Sequence, residues 1–68
     1  MIRYDPFYKT LAKRGKTGYM LQRDKVVGSG TLTRMKNGDS ISTDTINSLC
    51  NYLRCKPGDI ISYTPDDQ

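Results

Sequence analysis

Apolar residues recur along this chain at helical spacing, in groups separated by polar turn residues. Tyr4, Phe7, Tyr8 and Leu11 fall at i, i+3, i+4 and i+7, which predicts a helix over residues 6–14. Asp5 stands where an N-cap is wanted, and Pro6 at the first helical position, where its missing N–H costs nothing. Lys13 and Arg14 meet the negative end of the helix dipole, and Gly15 suits a left-handed closing residue. Thr17 is the next cap; it opens a short helix through Asp24 with Met20 and Leu21 facing inward. Val26-Val27 return the chain to the core, and Gly28-Ser29-Gly30 loosens the backbone before Thr31–Lys36. In that third helix Leu32 and Met35 form an i, i+3 pair and Asn37-Gly38 closes the segment. Gly30 lowers helix propensity by about 1 kcal/mol relative to Ala, so the third helix depends on tertiary contacts.

Ser42 caps a fourth helix, 43–54, in which Ile46, Leu49, Cys50 and Leu53 repeat the apolar stripe. Pro57 opens one further turn, 57–61, with Ile60 and Ile61 to bury. Met1–Tyr4 and Ser62-Tyr63-Thr64 read as extended, able to pair as a two-stranded ribbon. Five helices joined by tight turns make a single all-α domain over 1–68, with no repeat, linker or low-complexity tract.

The stretch Thr17–Gly38 is the informative part. A short capped helix, a tight turn and a second short helix form a helix-turn-helix unit. In such a unit the second helix projects into a major groove about 12 Å wide while the first braces it across the backbone. Positions on the second helix not needed by the core should then be small and polar or basic, and here they are Ser29, Gly30, Thr33, Arg34 and Lys36.

Charge supports the same direction. Residues 1–36 carry nine Lys/Arg against Asp5 and Asp24, while residues 37–68 carry Arg54 and Lys56 against five Asp, so the chain's +4 is concentrated in the half that holds the motif. That asymmetry suits a polyanion on one side only. At 68 residues a multidomain enzyme is excluded, and the absence of His removes the usual acid/base at neutral pH. No nucleophile stands beside a base, so no enzyme is expected. Cys50 and Cys55 cannot complete a four-ligand zinc site; Cys50 lies on an apolar stripe, and the pair reads as core thiols rather than metal ligands or a redox pair. No apolar run reaches a membrane span and the charged start is unlike a secretory signal, so the cytosol is the expected location.

At Thr17, Leu21, Val26-Val27-Gly28, Thr31-Leu32-Thr33-Arg34-Met35 and Asn37-Gly38 the chain resembles the Cro and phage-repressor, or XRE-like, helix-turn-helix family. It looks closest to the minimal single-domain subgroup of bacteria and their mobile elements. The similarity extends from Ile2-x-Tyr4-x-Pro6 through Ile41-Ser42, Ile46, Leu49-Cys50, Leu53 and Cys55 to Gly58-Asp59-Ile60-Ile61 and Tyr63. Two positions depart from the family pattern: Val26 stands at the usual turn glycine and Gln22 at the usual small residue of the first motif helix. A β-branched residue is poorly suited to positive φ, so the turn is expected to take another conformation.

The resemblance implies a compact five-helix, lambda-repressor-like domain. It also implies that Ser29, Gly30, Thr33 and Arg34 face base edges and that Thr17, Gly18, Tyr19 and Asn37 lie along the phosphates. Arg34 is the best base reader, since its guanidinium can pair with guanine O6 and N7, whereas Lys16, Lys25 and Lys36 suit phosphate. The expected function is a sequence-specific, double-stranded DNA-binding transcriptional regulator, a repressor that occludes its operator without cofactor or small-molecule effector. The rival is a protein-interaction module, an antitoxin or adaptor. One such domain covers only about 600–1,000 Å² on a half-site, so a homodimer on a palindromic operator is expected. Ile60, Ile61 and Tyr63 in the less basic half are the candidate dimer contacts.

Overall fold

The apolar stripes converge on one core. The computed structural model describes residues 1–66 and contains a short strand β1 (Ile2–Arg3), then α1 (Asp5–Arg14), α2 (Gly18–Arg23), α3 (Ser29–Lys36) and α4 (Thr43–Leu53). A 3-10 turn at Pro57–Asp59 and strand β2 (Ser62–Tyr63) follow. The expected fifth helix over 57–61 is therefore only this 3-10 turn. Ile60 and Ile61 donate their N–H groups to the Pro57 carbonyl and the chain then extends. The termini pair antiparallel within one chain, Ile2 opposite Tyr63 and Arg3 opposite Ser62, as the extended ends predicted. Among the described residues no helix is long and apolar enough to cross a membrane.

Phe7, Leu21, Leu49 and Ile60 are fully buried, with Tyr4, Leu11, Val27, Met35 and Leu53 around them. Two details of α1 differ from expectation. Its N-cap is Tyr4, not Asp5; the Asp5 carboxylate is instead held by Arg3 Nε at 2.9 Å. Tyr8 is exposed, and the inward place beside Phe7 and Leu11 goes to Thr10, whose hydroxyl donates to the Asp59 carbonyl at 2.7 Å. A hydroxyl can be buried there because its one demanding group is satisfied. That bond, and the Tyr4 hydroxyl donating to the Asp39 carbonyl at 2.5 Å, tie α1 and the N-terminus to the last third of the chain and to the α3–α4 loop.

All four helices stop in the same way. A left-handed residue follows each last turn, and the next N–H reaches back to a carbonyl five residues earlier. The left-handed residues are Gly15, Lys25, Gly38 and Arg54. The returning bonds run from Lys16 to Leu11, Val26 to Leu21, Asp39 to Arg34 and Cys55 to Cys50. Two of these positions thus hold residues with a Cβ, at φ 59° and 55°.

Candidate nucleic-acid interface

The motif is α2, the turn 24–28 and α3. Thr17 caps α2 as expected, its hydroxyl oxygen accepting from the Met20 N–H at 3.2 Å. Leu21 is fully buried while Met20 is half-buried. The turn departs from a glycine-based one in an informative way. Lys25 takes the left-handed conformation, one residue before the position where the family places glycine. Lys25 N–H donates to Gln22 and Val26 N–H to Leu21 at 2.8 Å. Val26 is thereby released from positive φ and becomes the residue after it, where an apolar side chain packs back against the helix end. Val26 does this, half-buried against the core, while Val27 is buried.

α3 begins at Ser29, two residues earlier than the spacing of Thr31–Lys36 predicted, with Gly28 as an N-cap that lacks a side chain. Met35 is buried and Leu32 half-buried, which turns the opposite side of the helix outward. The structure places Ser29, Gly30, Thr33 and Arg34 together on that exposed side, at i, i+1, i+4 and i+5. Lys36 and Asn37 continue the exposed surface at the end of α3. Thr17 and Tyr19 are exposed at the start of α2, Tyr19 at 71%, whereas Gly18 is half-buried; a Cβ on Gly18 would sit 3.4 Å from Leu32 Cδ1. Gly18 is therefore where the two motif helices meet, besides any role toward a ligand. Lys25, Arg34 and Lys36 form no ion pair with a described residue, so their charges face solvent.

Lys16 stands apart from this group. It is half-buried, its Nζ 5.1 Å from the centre of the Tyr52 ring. The ring face attracts the ammonium, which directs Lys16 toward α4. Tyr52 itself donates to Asp24 Oδ2 at 2.5 Å, and Arg23 Nε reaches the same carboxylate at 3.1 Å. The Arg23 guanidinium and then the Tyr52 hydroxyl hold the Asp24 carboxyl below its ordinary pKa, and Asp24 in turn raises the Tyr52 phenol. This contact joins α4 to the motif turn beside the left-handed Lys25. Nothing in the sequence signals it, because Tyr52 and Asp24 are far apart along the chain and each alone reads as a solvent-facing side chain.

The candidate dimer residues separate as well. Ile60 is fully buried in its own chain's core and is not available to a partner. Ile61 is half-buried and Tyr63 is exposed at 65%. Among the described residues no three His, Cys, Asp or Glu side chains are placed to hold a metal.

This arrangement of helices is matched in known proteins. Residues 8–66 match the Cro/C1-type HTH DNA-binding domain. Over 59 residues the chain is 34% identical to an uncharacterized HTH-type transcriptional regulator, YozG, of Bacillus subtilis (strain 168), covering 84% of this chain and 70% of that protein. The crystal structure of the transcriptional regulator VanUg superposes with a TM-score of 0.85 at 26% identity, covering 96% of this chain and 87% of that one. The family domain spans both motif helices, the turn and α4, and the chain belongs to the Cro/C1-type helix-turn-helix DNA-binding family.

Proposed function

We propose that this protein is a sequence-specific transcriptional repressor that acts in the cytosol by occupying an operator in double-stranded DNA. The observation that carries this reading is the exposed side of α3, where Ser29, Gly30, Thr33 and Arg34 stand together and Arg34 is unpaired among the described residues. A free guanidinium on a projecting helix is suited to the O6/N7 edge of guanine. Exposed Lys25 and Lys36 supply cations for phosphate, which give affinity and register without sequence preference. Thr17 and Tyr19 at the start of α2 and Asn37 after α3 are exposed as well and are the further phosphate candidates, with Gly18 between the two motif helices. Lys16, drawn toward Tyr52, is a weaker phosphate candidate than its place in the sequence suggested.

The working form is a homodimer on an inverted repeat, because one domain covers too little DNA for tight discrimination at physiological salt. Half-sites would lie about one helical turn apart, roughly 34 Å. Exposed Met1, Ile2 and Tyr63, with half-buried Ile61 beside the terminal ribbon, support that end of the molecule as the pairing surface.

Selection of bound genomic fragments by the purified protein, followed by sequencing, tests the proposal. Enrichment of one inverted repeat, bound with a log K against log salt slope near −4 to −5 per monomer, is the expected result. Recovery of no DNA would reject it in favour of a protein-binding adaptor.

A further inference from the structure

We propose that Cys50 and Cys55 form a reversible intrachain disulfide that staples the C-terminal cap of α4. The two cysteines occupy the positions a helix stop brings together. Arg54 is left-handed, and the Cys55 N–H turns back to the Cys50 carbonyl at 3.1 Å. In this kind of cap the side chains of those two residues lie against each other, usually as an apolar contact. Here that contact consists of two free thiols, both half-buried. They line one open, shallow cleft together with Asn51, Arg54 and Lys56.

The surroundings define the chemistry. Burial first, and then the neighbouring Cys50, push the Cys55 thiol up to about 11, with Asp59 adding to the rise and Arg14 opposing it. A thiol held protonated reacts slowly with peroxides, since the thiolate is the nucleophile. The first attack on a disulfide also needs a thiolate and is slowed in the same way, but the second attack is intramolecular, so a mixed disulfide once formed closes onto the neighbouring cysteine. Arg54 and Lys56 give the cleft a positive rim that suits an anionic disulfide such as glutathione disulfide. In the first step a thiolate of one cysteine attacks the oxidant's S–S bond, expelling one glutathione thiolate and leaving a mixed disulfide. The second cysteine then loses its proton to solvent and attacks the protein sulfur of that mixed disulfide, expelling the second glutathione. Two electrons pass from the protein thiols to the oxidant, and two reduced glutathione molecules leave.

The reduced full-length chain is incubated with glutathione disulfide, alkylated with iodoacetamide and weighed by mass spectrometry. The expected product is a monomer lighter by two hydrogen atoms, with neither cysteine alkylated, restored by dithiothreitol. Its melting temperature should lie several degrees above that of the reduced chain, since the cross-link restricts the unfolded state. Cys50→Ser and Cys55→Ser, checked for native helicity, should each stop at a single glutathione adduct. A stable adduct on the unmodified chain, chain-to-chain dimers, or two thiols still open to alkylation would overturn the proposal. A disulfide that forms without raising the melting temperature would overturn the staple.

Discussion

The motif turn offers a test in which two neighbouring substitutions should act in opposite directions. Lys25 sits at φ 59° and Val26 does not share that conformation. The left-handed region costs an L-residue about 1–2 kcal/mol, which Lys25→Gly removes. Glycine also loosens the unfolded chain, an opposing effect of about 0.4–1 kcal/mol. The net expectation is a gain of about 0.5–1 kcal/mol. Little else changes, because the Lys25 side chain is exposed and without an ion pair among the described residues. For a domain of this size that gain raises the melting temperature by about 2–8 °C. Val26→Gly puts glycine where the family carries it and yet should destabilise. It deletes a half-buried side chain packed on the core and adds chain entropy, together about 1–2 kcal/mol. Thermal unfolding followed by circular dichroism, with urea titration as a check, measures both. Stabilisation by Val26→Gly with loss by Lys25→Gly would show that the left-handed residue is Val26 and that the hydrogen bonds assigned to this turn are wrong. Lys25→Gly also removes a cation, so its slope of log K against log salt should flatten by roughly one unit if Lys25 touches phosphate.

Further outcomes follow from the same contacts. Arg34→Ala should cost about 1–3 kcal/mol on the operator and relax one base position in a repeated fragment selection, whereas Lys36→Ala should weaken all sequences equally. An unchanged motif with Arg34→Ala would reduce Arg34 to a phosphate contact. Met35→Ala should unfold the domain at moderate temperature, costing about 2–5 kcal/mol, while half-buried Leu32→Ala should cost less; denaturant midpoints rank the two. The Tyr52–Asp24 contact should weaken at both ends of the pH scale. Asp24 is lowered in the folded chain, so its stabilisation is present above about pH 4, the unfolded carboxyl value, and is lost as pH falls through the folded one. Tyr52 is raised, so its contribution is present below about pH 10 and is lost as pH rises through its folded value. Tyr52→Phe should flatten the alkaline loss, and a stability profile identical to the parent's above pH 9 would refute the link.

Much of the fold was legible because its signals are local. Helical spacing of apolar residues placed α1 and α4, the Thr17 cap placed α2, and Thr17 and Ser42 cap through their own hydroxyls, as their chemistry requires. Gly15 and Gly38 marked two helix stops because glycine adopts positive φ without penalty. The exposed face of α3 also followed from sequence, since burying Met35 and Leu32 on one side leaves Ser29, Gly30, Thr33 and Arg34 on the other. Other features depended on what meets what in three dimensions. The stops at Lys25 and Arg54 carry no glycine, and only the burial of Val26 and the returning bond of Cys55 make the strained conformation worthwhile. Thr10 displaced Tyr8 from the core because the Asp59 carbonyl, distant in the chain, was there to accept its hydroxyl. Ile60 was lost as a surface contact because its own core needed it, and Lys16 turned toward Tyr52 because the ring lay in reach. Patterns of spacing and capping reside in neighbouring residues and survive in the sequence. A hydrogen bond or packing contact between remote segments has no local signature, so tertiary structure alone decided it.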